Sequence, residues 1–109
     1  RGDKGAGAQT CALPIWSHYQ AGKVRLRGNA YAGCAAEMEK AVEAGPNSPK
    51  AGGYEAYCYL LDQDARAGLS AWYTARSYEP GITLDTQADQ LAMLAKVREA
   101  NLPPKVNAK

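Results

Sequence analysis

Apolar and small residues recur along this chain at helical spacing, and the same set returns one period later. Tyr31, Cys34, Ala35, Met38 and Ala41 follow the i, i+3, i+4, i+7, i+10 order of one helical face. Thirty-four positions on, Ala65, Gly68, Leu69, Trp72 and Ala75 stand in the same phase. Each set runs towards a proline, Pro46 or Pro80, which cannot continue a helix. The pattern predicts helices over 30–44 and 65–78, with Leu69 and Trp72 turned inward in the second.

Between and around these two lie three further helical segments. Residues 16–27 place Tyr19, Gly22 and Leu26 on one face, with Lys23 and Arg27 towards the end, where cations suit the helix dipole. Residues 51–61 form the most aromatic segment, carrying Tyr54, Tyr57 and Tyr59 with Leu60 and Leu61. Gly52 and Gly53 weaken its first turn by about 1 kcal/mol each relative to alanine, a cost that packing has to offset. A fifth helix is expected from a cap at Asp85 or Thr86 through Ala100, with Ala88, Leu91, Leu94, Ala95 and Val97 as its apolar side.

The breaks between segments carry their own signals. Gly28-Asn29 and Asp62-Gln63 are stops in the same position of successive periods. Gly45 suits a helix C-terminus that needs positive φ, Ser48 can cap the next helix, and Pro49 fits its first turn. Glu79-Pro80-Gly81 ends the fourth helix as Gly45-Pro46-Asn47 ends the second. Asn101 and Pro103-Pro104 end the fifth, leaving a frayed tail over 103–109. The fold class is therefore all-α, with about five helices in antiparallel hairpins stacked as a short solenoid over 16–102.

Composition narrows the function classes without naming one. With 109 residues, 22% of them charged and 46% hydrophobic, the chain is one ordinary globular domain at most. A net charge of +2 is too small to mark a nucleic-acid module, and Lys23-Val24-Arg25-Leu26-Arg27 scatters its cations around a helix. No apolar run is long enough to span a bilayer, and no secretory leader is expected at the N-terminus. The first fifteen residues look foreign. Gln9-Thr10-Cys11-Ala12-Leu13-Pro14-Ile15, back-translated, resembles a common sequencing-adapter oligonucleotide read in frame, so 1–15 is expected to contribute nothing to the fold.

Chemistry is sparse. Cys34 and Cys58 lie on apolar helix faces and are expected to be small buried residues, with a disulfide between neighbouring helices left open. One histidine, His18, and no CxxC or HxxxH spacing argue against a metal site. His18 has no acidic residue at helical spacing, no glycine-rich loop follows a strand, and Asp62-Gln63-Asp64 lacks the glutamate and spacing of a calcium loop. We expect no catalytic residues and no cofactor.

From Trp16 to Gly81 the chain resembles two tetratricopeptide repeats, and residues 85–100 look like their capping helix. Gly22, Tyr31, Met38, Ala41 and Pro46 carry the likeness in the first unit, and Ala56, Tyr59, Trp72, Ala75 and Pro80 in the second. Glu55 departs from the pattern, standing where an apolar residue is usual. The resemblance implies a protein-interaction scaffold whose first helices line a concave groove for a peptide or a partner's helix. Its groove candidates are Tyr19, Lys23 and Arg27 from the first repeat, with Tyr57 and Leu60 from the second. The tyrosines would anchor, and the cations would take a carboxylate. The alternative is a structural helical fragment or accessory domain of a larger protein. Exposure of Tyr19, Lys23 and Tyr57 together would favour the first reading, and their burial beneath the fifth helix the second.

Overall fold

The computed structural model describes residues 15–45 and 49–101. The segment 1–14, the stop at Pro46, the cap at Ser48 and the tail from 102 lie outside the described residues. Five helices follow in order: α1 (Ile15–Arg27), α2 (Tyr31–Ala44), α3 (Pro49–Leu61), α4 (Ala65–Tyr78) and α5 (Gln87–Asn101). Among the described residues there is no strand. Each of the first four packs on the next, and α5 lies against α3 and α4. This is a stack of antiparallel hairpins in a short helical-repeat arrangement.

The period is written in the backbone as well as in the side chains. At the end of α1, the Ala30 N–H bonds the Arg25 carbonyl at 2.8 Å and the Asn29 N–H bonds the Leu26 carbonyl at 3.0 Å. At the end of α3, Asp64 bonds Tyr59 at 2.9 Å and Gln63 bonds Leu60 at 3.0 Å in the same way. Both are six-to-one and five-to-two closures around one left-handed residue, Asn29 at φ 62° and Gln63 at φ 65°. The two stops are thus one turn used twice.

Burial repeats with the same spacing. α2 buries Cys34, Ala35, Met38 and Ala41, and α4 buries Gly68, Trp72 and Ala75, with Leu69 partly covered. Met38 and Trp72 thereby take equivalent inward positions. Small residues permit close crossing. A Cβ added at Gly52 would come to 3.0 Å from the Ala75 methyl, and one at Gly53 to 2.9 Å from Leu84. The packing that offsets these two glycines is therefore the approach of α4 on one side and of the strap before α5 on the other. Cys34 and Cys58, both fully buried, are joined in a disulfide between α2 and α3.

Two local expectations change. Gly45 sits at φ −145°, extended backbone that any residue adopts, and its counterpart Glu79 sits at φ −147°. No positive φ is asked of Gly45, because its N–H simply continues the helical bonding to the Ala41 carbonyl. α5 is also rotated from the face expected of it. Thr86 is its cap, accepting the Asp89 N–H at 3.0 Å, and Asp89, Met93 and Val97 point inward. Ala88, Leu91 and Ala95 are exposed, Leu91 by 58%. The cause is Asp89, whose carboxylate is drawn into the stack by partners on α1 and α3.

Candidate functional site

Tyr19, Lys23 and Arg27 are spaced four apart on α1, so they rise one above another on a single face. Asp85, in the strap before α5, and Asp89, in the first turn of α5, have the same spacing. The two ladders meet in parallel. Lys23 pairs with Asp85, and one turn later Arg27 grips Asp89 with two bonds of 2.9 and 2.6 Å. The fork-to-carboxylate geometry is the strongest form of such a pair.

Tyrosines from α1 and α3 complete the arrangement. The Tyr19 hydroxyl donates to Asp85 Oδ2 at 2.8 Å, and the Tyr54 hydroxyl donates to Asp89 Oδ2 at 2.6 Å. Tyr54 also accepts the Asp85 backbone N–H at 3.1 Å, so a single phenol touches both rungs. The two rings meet edge to face with centroids 5.7 Å apart, and Lys23 Nζ lies 5.1 Å from the Tyr19 ring centre. Lys50 of α3 reaches the second Asp85 oxygen at 3.4 Å.

Electrostatics follow from these contacts. The Arg27 bonds, helped by Tyr54, outweigh burial and hold the Asp89 carboxyl down at about 2. Burial works against the ionised form of Asp85, but the bonds from Lys23 and Tyr19 keep it below the usual carboxylate range. Burial, then hydrogen bonding to a carboxylate, pushes the Tyr19 and Tyr54 hydroxyls far above the ordinary phenol value, so both remain donors. The site is a receptor for two carboxylates, and its own chain supplies them.

All five residues expected to line a groove are accounted for. Tyr19 and Tyr57 are buried, and Lys23 and Arg27 are paired with the α5 segment. Burial raises the Tyr57 hydroxyl, which also senses the charges of Asp89 and Arg27. Leu60 is buried and turned towards α4: a Cβ built at Gly68 would meet its Cγ at 2.7 Å. The structure thus brings Tyr19, Lys23, Arg27 and Tyr57 together and diverts Leu60 into the hairpin contact. Sequence reasoning missed Asp85, Asp89, Tyr54 and Lys50. The available signal was the matching four-residue spacing of two cations in α1 and two acids, Asp85 just before α5 and Asp89 in its first turn.

Away from this site, His18 Nδ1 lies 2.9 Å from Glu37, which also faces Arg25 at 3.7 Å. The acidic neighbour that α1 lacks comes from α2. The His18 bond lowers the Glu37 carboxyl against an opposing effect of burial. Among the described residues no three His, Cys, Asp or Glu side chains gather as a metal site, and no helix is long and apolar enough to cross a membrane. No known family model, curated protein or solved structure matches the chain.

Proposed function

We propose that the chain is a structural helical scaffold unit of a larger protein, with its carboxylate-receiving groove filled by its own segment 82–101. One observation carries this reading: the groove cations and tyrosines are spent on Asp85 and Asp89. The resemblance to tetratricopeptide arrays supports it, because terminal helices in such arrays cover an apolar edge that would otherwise be open. The test is a titration of the intact chain with a library of acidic and C-terminal peptides at low salt. The expected result is no saturable binding, both for the wild type and for Asp85→Asn/Asp89→Asn. Binding by the wild type that Lys23→Glu/Arg27→Glu abolishes would overturn it.

A second reading, an interaction scaffold for a peptide or partner helix, is favoured by the chemistry of the cover. Asp85 and Asp89 offer α1 what an acidic peptide would offer, and Arg27 is half exposed beside them. Displacement of 82–101 would then open the groove. Two short repeats make a small one, so affinity on the order of 10–100 μM is expected. This reading requires that Asp85→Asn/Asp89→Asn bind acidic peptides more tightly than the wild type does.

A further inference from the structure

We propose that the cleft between α2, α3 and α4 is a docking site for a lysine side chain of a partner protein, with Glu55 receiving the ammonium group. The cleft lies on the face of α3 turned away from α5. Gly52, Glu55 and Tyr59 share that face at i, i+3, i+7, whereas Gly53, Tyr54 and Tyr57 share the opposite one. Its volume is about 290 Å³, enough for one side chain and small for an extended ligand.

The wall matches one chemistry. Val42 and Ala71 provide an apolar flank for an alkyl stem, and Tyr59 an aromatic one. Ser70 and Thr74, one turn apart on α4, line the cleft beside Glu55. A carboxylate and two hydroxyls offer acceptors for the three N–H groups of an ammonium ion. Glu55 is half-buried and takes part in no hydrogen bond or ion pair among the described residues. It also stands where the helical-repeat pattern has an apolar residue. A carboxylate withdrawn from water without a partner is costly, and a cation restores what burial removed.

The charged groups facing Glu55 point the same way. Glu39 and Glu43 come from α2, and the phenols of Tyr59 and Tyr78 from α3 and α4. None is a cation. Burial, then the two α2 glutamates, pushes the Glu55 carboxyl up to about 7. An ammonium ligand binds the ionised form, so its affinity rises with pH through that range. Binding is therefore expected to be several-fold weaker at pH 5.5 than at pH 8. The inference is independent of how the α5-covered groove is used.

The experiment follows backbone amide shifts of the 15N-labelled full chain on titration with the blocked tripeptide acetyl-Ala-Lys-Ala-amide. Saturable shifts at Gly52, Glu55, Tyr59, Ser70 and Thr74 are expected, stronger at pH 8 than at pH 5.5. The glutamine analogue of the peptide should leave them unmoved. Glu55→Gln should weaken binding at least fivefold and remove the pH dependence, with its thermal midpoint confirming the fold. Ala71→Leu, which fills the cleft and keeps Glu55, should abolish binding. Three results overturn the proposal: no shifts, equal shifts with the glutamine analogue, or undiminished binding to Glu55→Gln. Butylammonium or magnesium ion binding as tightly as the lysine peptide overturns the side-chain assignment.

Discussion

Two residues with positive φ show how the repeat is built. Asn tolerates the left-handed region because its short amide bonds locally, whereas Gln63 occupies it without that help. The same comparison exposes a weakness at the next position. Asp64 caps α4 by accepting the Ala67 N–H at 3.1 Å. Ala30, its equivalent 34 residues earlier, has nearly the same backbone angles and no side chain to do so. Ala30 is exposed, so nothing obstructs a longer side chain there. Ala30→Asp is therefore expected to stabilise the chain by about 0.5–2 kcal/mol, read as a rise in the urea midpoint at unchanged slope. An unchanged midpoint would mean that water already satisfies the first amides of α2.

Among the elements, α5 depends on charge far more than α2 or α4 do. Its docking rests on Asp85 and Asp89, whose folded carboxyls lie below their unfolded values. A depressed carboxyl contributes stability above its unfolded pKa, and that contribution is lost as pH falls through the folded one. For Asp89 the window runs from about pH 4 down to about 2. The gain is at most about 2–3 kcal/mol, lessened by solvent screening of the half-exposed Arg27. Acidification should free α5 before the α1–α4 stack melts, seen as loss of amide protection confined to 86–101. Asp89→Asn should flatten that acid response and cost about 1.5–3 kcal/mol at pH 7. The dependence also explains what could be read beforehand. α2 and α4 announce themselves by one apolar stripe repeated in phase, and α4 begins and ends where the stripe says. α5 has apolar residues on several sides, so a stripe chosen by hydrophobicity included Leu91 and gave no place to Asp89. Periodicity reports which residues share a face of one helix; it does not report that a carboxylate 62 residues away matches Arg27.

For the whole molecule, the decisive link is the one joining the two hairpins. Cys34 and Cys58 each belong to an apolar stripe, so their sequence context is that of ordinary buried residues. Only the packing of α2 on α3 brings their Cα atoms to 6.0 Å. The bond closes a loop across a sequence separation of 24 residues, and closing such a loop in the unfolded chain is worth about 3 kcal/mol. Single domains are stable by only about 5–15 kcal/mol, so this is a large share of the total. With a strong reductant present, the denaturation midpoint should fall by an amount corresponding to about 3 kcal/mol. Cys34→Ala/Cys58→Ala should lose at least as much, because it also removes two buried sulfurs. Since both cysteines are fully enclosed, mild reductants should act only on opened molecules, and reduction should speed up as denaturant approaches the midpoint. Rapid reduction of the fully folded chain, or a double alanine variant as stable as the wild type, would show that the α2–α3 contact holds without the covalent link.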